Sequence, residues 1–240
     1  MAGDYDAAFV AFLLFTNQKP ELCAEIAKRI RGRGATSLLD IGAGAGELAV
    51  PLSSLVRRYC AVEHKGIYAA LLRARGLHVI ESSFPVAIDS LFDFVLISHV
   101  LPRQPVEYEP FLQSAWSVVA PGGALLGVLH NDVPSEWYDL ITACGLSPGR
   151  RASSLEKLSS YFSTLGPTTV DTITTTVSTA SRRGIVSALS FVYGAGNREK
   201  IREFEERSSL ILQYLDARYR NGEEYCFPFH HIFLQAHKER

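Results

Sequence analysis

The residues of this chain best suited to chemistry are the run Leu38-Leu39-Asp40-Ile41-Gly42-Ala43-Gly44-Ala45-Gly46-Glu47 and Glu63, the acid that ends a second apolar run, Tyr59-Cys60-Ala61-Val62. An apolar strand entering alternating glycines makes a tight turn, because glycine reaches positive φ freely and lets backbone approach a ligand closely. A glycine turn followed by a strand-end acid is a common way for α/β folds to hold an adenosine-bearing cofactor. Spacing separates the candidates. The sixth position counted from Gly42 is Glu47, where a dinucleotide fingerprint needs a small residue for close helix–strand packing. A carboxylate at a helix N-terminus also repels a pyrophosphate while tolerating a cationic ligand. No Gly-Lys-Ser/Thr follows at the spacing of a phosphate-binding loop.

The elements that must position these residues alternate along the chain. Strand Ser37 to Ile41 is expected to lead into helix Gly46 to Arg57, then strand Tyr59 to Glu63, helix Gly66 to Arg75 and strand Leu77 to Glu81. Phe92 to Ser98 is apolar almost throughout, the pattern of a strand buried on both faces. Helix Glu107 to Val119 ends at the turn signal Pro121-Gly122-Gly123; strand Ala124 to His130 and helix Pro134 to Cys144 follow. Ser154 to Phe162 reads as helix, and the threonine-rich, β-branched stretch Thr168 to Thr179 as strand. Residues 181–220 carry two helical segments, the second from Arg198 to Tyr219, and Tyr225 to Ala236 suits a last strand. Such alternation predicts a parallel sheet covered by helices. Residues 1–240 are expected to form a single domain, with 1–35 as an N-terminal helical cap and 181–220 as a helical insertion before the last strand.

Composition narrows the function classes. The formal net charge is −1, and the basic pairs Arg57-Arg58, Arg150-Arg151 and Arg182-Arg183 are dispersed, so duplex nucleic acid has no electrostatic footprint to meet. Cys23, Cys60, Cys144 and Cys226 lie far apart without a C-x-x-C. That pattern suggests neither a zinc site nor a disulfide framework and points to reduced thiols in a cytoplasmic protein. The apolar run Ala7 to Phe15 is too short to span a bilayer, and Asp4 and Asp6 precede it where a signal peptide carries positive charge. No membrane partner is expected, nucleic acid is disfavoured, and the choice of monomer or homodimer is open.

The segment Asp40 to Gly46 resembles motif I of class I S-adenosylmethionine-dependent methyltransferases, and the order of elements is similar to that fold as a whole, by motif over residues 36–145 and by element order over 168–237. The resemblance implies a Rossmann-like, seven-stranded, mostly parallel α/β sheet with helices on both faces and an antiparallel last strand. It also implies S-adenosylmethionine as cofactor, and suggests that the N-terminal segment and the helical insertion build a lid over the substrate. Tyr5, Phe9, Phe12 and Leu13, with Thr16-Asn17-Gln18, are similar to the opening helix of histamine N-methyltransferase and related small-amine methyltransferases, as is the pair Ser82-Ser83 after strand 3. In that subgroup a serine replaces the acid that many methyltransferases carry after strand 3. An acid in the opening segment helps recognise the amine, where Gln18 stands here, which argues against histamine itself. A polar residue near the start of the last strand, close to His230 and His231, also takes part.

On this reading Asp40, Gly42, Gly44 and Gly46 shape the methionine end of the cofactor site, with Asp40 alternatively a turn-stabilising carboxylate. Glu63 accepts hydrogen bonds from both ribose hydroxyls. Tyr68 covers ribose or adenine, or packs in the core. Ser82, Ser83 and Phe84 hold adenine, while Ser98 and His99 close strand 4 at the carboxyl edge, where ligands bind in such sheets. His99 is the leading general base because imidazole titrates near neutrality; pocket lining is its alternative, and His130 faces the same rim. His230 and His231 point to opposite faces of a strand, so at most one lines the site. Tyr5, Phe9, Phe12, Phe15, Trp137 and Phe191 either enclose a planar or cationic acceptor or form core. Transfer from a sulfonium is an in-line displacement that needs positioning and exclusion of water, and the scattered His and Cys positions predict no metal-ligand cluster. Methyl transfer to a small molecule follows as the expected activity, nitrogen favoured over oxygen because a neutral amine needs only deprotonation and positioning. An RNA methyltransferase and a non-catalytic cofactor-binding regulatory subunit are the alternatives. Ser98-His99-Val100-Leu101 stands where adenine-N6-type enzymes carry Asn/Asp-Pro-Pro-Tyr/Phe.

Overall fold

A computed structural model describes residues 2–102, 105–130, 135–147, 154–194 and 197–240. In chain order the elements are α1 (Ala2–Leu13), α2 (Gln18–Gly32), β1 (Ser37–Ile41), α3 (Ala49–Ser53), β2 (Arg58–Glu63), α4 (Gly66–Ala74), β3 (Val79–Glu81) and β4 (Phe92–Ser98). After a 3-10 turn over Pro105–Glu107 come α5 (Tyr108–Ser117), β5 (Val119–His130), α6 (Glu136–Ala143), α7 (Ser154–Leu165) and β6 (Thr168–Thr179). The remainder is α8 (Arg182–Gly194), α9 (Arg198–Glu206), α10 (Ser208–Arg218), β7 (Arg220–Asn221) and β8 (Glu224–His237). The sheet order is β3-β2-β1-β4-β5-β8-β6, with β7 paired to β8 off this path. The first five strands of that order run parallel and β8 is antiparallel to β5. No described helix is long and apolar enough to cross a membrane.

Most expected boundaries shift by a residue or more, and three elements change in kind or extent. The helix after β1 is α3, a short element over Ala49–Ser53 rather than Gly46 to Arg57, because Gly46 sits at φ +101°, outside helical space. The segment 181–220 holds three helices, α9 ending at Glu206 and α10 beginning at Ser208. Pro121-Gly122-Gly123 does not end a helix before a separate strand; β5 runs through it from Val119. There the register with β4 jumps from Phe92↔Val119 to Phe94↔Ala124, so the turn residues form an irregularity inside the strand.

The chain divides into two compact units. One comprises Leu22–His130, Ser153–Ile173 and His231–Arg240. Its strands alternate side chains between two faces. Leu39, Ile41, Val95, Ile97, Leu125, Ile232 and Leu234 meet Phe111 and Leu112 of α5 and Leu158 and Phe162 of α7. Leu38, Phe94, Leu96, Leu126, Val128 and Phe233 meet Leu22, Ile26 and Ile30 of α2 and Leu52 of α3. The expectation of helices on both faces is therefore met. Arg29 of α2 extends the second layer, its Nη2 donating to Asp171 at 2.8 Å and its guanidinium lying 4.9 Å from the Phe233 ring centre.

The starts of β1 and β4 are tied by one carboxylate. Asp93 Oδ2 accepts from the Thr36 N–H at 2.8 Å, the Thr36 hydroxyl at 2.8 Å and the Ser37 N–H at 3.0 Å. Burial works against ionisation of Asp93, but these donors outweigh it and hold its carboxyl below the usual range. A group whose folded-state pKa is depressed stabilises fully above its unfolded value, about 3.9 for Asp, and that stability is lost as pH falls through the folded value. Asp93→Asn is thus expected to lower the urea midpoint by a constant amount between about pH 5 and pH 7, the gap closing below about pH 4. Urea melts across that range check it.

The other unit comprises Met1–Glu21, Asn131–Ala152 and Thr174–His230. It packs Leu140 and Ile141 of α6, Ile185 and Leu189 of α8, Phe204 of α9, and Ile211 and Leu215 of α10 around Val177, Tyr225, Phe227 and Phe229. Asn17 pairs with β6 within this unit, its Oδ1 accepting the Thr176 N–H at 2.7 Å and its own N–H donating to Thr176 C=O at 3.2 Å.

Candidate functional site

The glycine turn leaves β1 at its carboxyl end. Gly42 (φ +76°) donates its N–H to Val62 C=O at 2.7 Å, and a Cβ there would lie 2.5 Å from Val100 Cγ1. Only a glycine fits under Val100 in this conformation. Gly44 (φ +59°) differs, since a Cβ added to it would meet nothing within 4 Å. Open space over bare backbone is what a ligand laid against the turn requires. At Gly46 a Cβ would press on Leu72 Cδ2 at 2.9 Å, so this glycine lets α4 pack close.

Glu63 holds the turn. It is 3 % exposed at the end of β2; its Oε2 accepts the Gly44 N–H at 2.8 Å and its Oε1 the Lys65 N–H at 2.8 Å. His64 Nδ1 lies 3.2 Å from Oε1. An ionised carboxylate has about four lone-pair sites, so Oε2 keeps acceptor capacity beyond its backbone partner. Asp40 is buried facing Tyr59, whose hydroxyl donates to Oδ2 at 2.8 Å. Burial, then the Asp40 charge and hydrogen bond, push the Tyr59 hydroxyl far above its ordinary range. One oxygen of Asp40 thus serves to tie β1 to β2.

Tyr68 is half-buried on α4, with Lys65 Nζ 4.8 Å from its ring centre. Ser82 donates its N–H to Glu63 C=O at 3.1 Å and its hydroxyl to Ser83 C=O at 3.1 Å, which places the pair directly after β3 beside Glu63. Phe84 packs edge-on against Phe111, ring centres 5.1 Å apart, so part of its surface belongs to the core. These residues and the turn all lie at the carboxyl ends of β1, β2 and β3. A cavity of about 810 Å3 lined by Arg58, Tyr59, His78 and Phe92 lies instead at the amino ends of β2 and β4, the sheet edge at which such folds do not bind ligands.

At the ends of the next strands the expectation of scattered histidines is corrected. His99, His130 and His231 each offer a ring nitrogen, and these atoms lie within 4.8 Å of one another. His130 and His231 face each other in the β5/β8 register, and His99 follows Ser98, the last residue of β4. Among the described residues His99 is the non-glycine residue with positive φ, 58°. Ser98 Oγ is 3.1 Å from His99 Nδ1, and His99 Nε2 is 3.2 Å from His231 Nδ1. His231 is fully buried, whereas His99 and His130 are half-buried.

The remaining acceptor candidates belong to the helical unit. His230 contacts Glu136 through Nε2 at 2.6 Å and Thr174 Oγ1 through Nδ1 at 2.9 Å. Burial opposes ionisation of Glu136, but its own backbone N–H and His230 outweigh it and hold the carboxyl below the usual range. The rings of Phe9, Phe12 and Phe191 contact one another, with 5.4 to 6.5 Å between ring centres. Trp137 packs on Phe229 at 5.4 Å and Phe204 at 6.3 Å. Gln18 is buried, its N–H donating to Thr16 Oγ1 at 3.1 Å. Tyr5 falls on α1, and its side chain lies outside the described residues. Sequence reasoning missed Val100, which caps the turn, and the grouping of His231 with His99 and His130; the first has no signal in residue type, the second only in strand register.

No protein-family model and no curated protein matches the chain. Solved structures do match. YcgJ from Bacillus subtilis has 15 % identity and a TM-score of 0.58 over 91 % of this chain and 98 % of that one. A SAM-dependent methyltransferase from Geobacter sulfurreducens in complex with S-adenosyl-L-homocysteine has 16 % identity and a TM-score of 0.52, covering 91 % of each chain. The cyclase SpnF has 18 % identity and a TM-score of 0.52 over 91 % of this chain and 81 % of its own. The chain has the fold of class I S-adenosylmethionine-dependent methyltransferases. At these identities the likeness is one of fold, and that a cyclase shares it illustrates that function must be argued from the site.

Proposed function

We propose that this chain is a cytoplasmic S-adenosylmethionine-dependent methyltransferase acting on a small-molecule acceptor, nitrogen favoured over oxygen. The observation that carries the reading is Glu63, buried at the end of β2, clamping the Gly44 N–H while keeping acceptor capacity for a ribose hydroxyl. Open space over Gly44 fits the methionine end, and the Ser82-Ser83-Phe84 segment beside Glu63 fits adenine. Bound there, S-adenosylmethionine supplies a methyl group on a sulfonium, which already has a good leaving group. The protein's own work is to orient the acceptor, exclude water and take up a proton. His99 and His130, half-buried at the same sheet edge, are the groups proposed for the proton.

Isothermal titration calorimetry with S-adenosylmethionine and S-adenosylhomocysteine is expected to show micromolar-range binding of both. Incubation with amine, phenol and carboxylate panels is expected to give methylated amine first. Absence of any cofactor binding by the folded chain would sink the reading. Retention on an RNA column that fades with salt would redirect it to a nucleic-acid substrate.

A further inference from the structure

We propose that His99, His130 and His231 form a binding site for one divalent transition-metal ion of the class that prefers imidazole nitrogen, such as Zn2+, with coordination positions left open to an exchangeable ligand. The spacing fits. Zinc–nitrogen bonds of about 2.05 Å in tetrahedral geometry put ligand nitrogens about 3.4 Å apart, and His99 Nε2 and His231 Nδ1 stand 3.2 Å apart. The third ring is close, its centre 4.4 Å from that of His99 and 4.8 Å from that of His231, and one ring nitrogen from each of the three residues lies within 4.8 Å of the others.

The surroundings are those of a ligand set. A metal-binding imidazole ordinarily donates its other N–H to a nearby oxygen, which fixes the tautomer. His99 Nδ1 has Ser98 Oγ at 3.1 Å; with the proton on Nδ1 donated to that hydroxyl, Nε2 presents its lone pair toward His231. The backbone is held as well. His99 donates its N–H to Val128 C=O at 3.0 Å, and His130 and His231 are partners in the β5/β8 ladder. Sites carried on strands keep their geometry better than sites on loops. Imidazole nitrogens favour zinc, cobalt, nickel and copper over magnesium or calcium, which take oxygen. Three protein ligands with an open position are the pattern of catalytic rather than structural zinc, and the half-buried His99 and His130 give an ion access.

Val100, the residue after His99, packs on Gly42, so the ion would lie next to the glycine turn. An imidazole whose lone pair is held by a metal takes up no proton, so His99 and His130 serve as proton acceptors in the metal-free chain and as ligands in the loaded one. That an acceptor's oxygen, nitrogen or sulfur fills the open position rests on the methyltransferase reading; metal uptake does not.

The test uses the full chain, stripped with a chelator and dialysed. Equilibrium dialysis against Zn2+ with elemental analysis is expected to give about one equivalent per chain, and Co2+ substitution a visible d–d spectrum of a nitrogen-ligated ion. Loss of His99 or His130 to alanine is expected to weaken uptake about tenfold or more, and the double variant to abolish it. His78→Ala, outside the cluster, is expected to retain the full equivalent. Because His231 is fully buried, substitutions are confined to the half-buried pair, with circular dichroism establishing that the variants fold. No uptake by the native chain, or undiminished uptake by the folded double variant, overturns the site and leaves a cluster of three packed imidazole rings. S-adenosylhomocysteine calorimetry on the same samples separates the two claims: uptake without cofactor binding removes the methyltransferase reading and retains the metal site.

Discussion

Glu63→Ala is expected to lower the affinity for S-adenosylhomocysteine about 100-fold and to destabilise the fold by about 3 kcal/mol, since it removes a charged acceptor and leaves the Gly44 and Lys65 N–H groups without it. Calorimetry reads the first effect, and the urea midpoint at unchanged slope the second. The isosteric variant sharpens the result. Glu63→Gln keeps one carbonyl oxygen for one of the two N–H donors and opposes its own amide N–H to the other, so both losses are expected to be intermediate. Affinity within about threefold of wild type in Glu63→Ala would mean that the carboxylate only braces the turn and never touches the ligand.

Gly42→Ala is expected to cost about 3 kcal/mol of stability, from a left-handed backbone penalty of about 1 kcal/mol and a methyl group forced against Val100. Gly44→Ala is the informative contrast. It carries a similar φ, +59° against +76°, but no neighbour within 4 Å, so only the backbone penalty remains, while its methyl enters the space assigned to the ligand. The expected pattern is a large stability loss with Gly42→Ala, and a small stability loss with a large affinity loss for Gly44→Ala. Val100→Ala in the Gly42→Ala background should restore part of the lost stability, because residues in contact couple non-additively. Full additivity in urea melts of the four proteins would refute the contact.

What the chain disclosed in advance depended on whether the deciding interaction was local. β1, β4 and β6 were legible to the residue, because continuous apolar or β-branched runs need no partner to declare themselves. The glycine turn and Glu63 were legible through their spacing. The short α3 was not, since the largely apolar segment 48–56, interrupted by Pro51, Ser53 and Ser54, looks helical whatever Gly46 does. Likewise Pro121-Gly122-Gly123 signals a turn, and only the register jump between β4 and β5 turns it into an irregular strand. Aromatic side chains at helical spacing more often pack in a core than line a pocket, and what the residue types left unsaid was that Phe9 and Phe12 of α1 meet Phe191 of α8. The three histidines were invisible as a group for another reason. Residues 99, 130 and 231 meet only because β5 lies parallel to β4 and antiparallel to β8, a relation written in tertiary pairing and in no segment alone.

β8 lies between β5 and β6 in the sheet order, yet it is the last of these strands to be synthesised. A nascent chain that has not reached the 230s leaves the edge of β5, with Leu125, Leu126, Val128 and Leu129, open to any other extended segment. Each compact unit also draws on three separated stretches of chain, so neither can be made as one continuous fragment. A chain stopped short of residue 231 is therefore expected to aggregate through that uncovered edge, the consequence of an inner strand that arrives late.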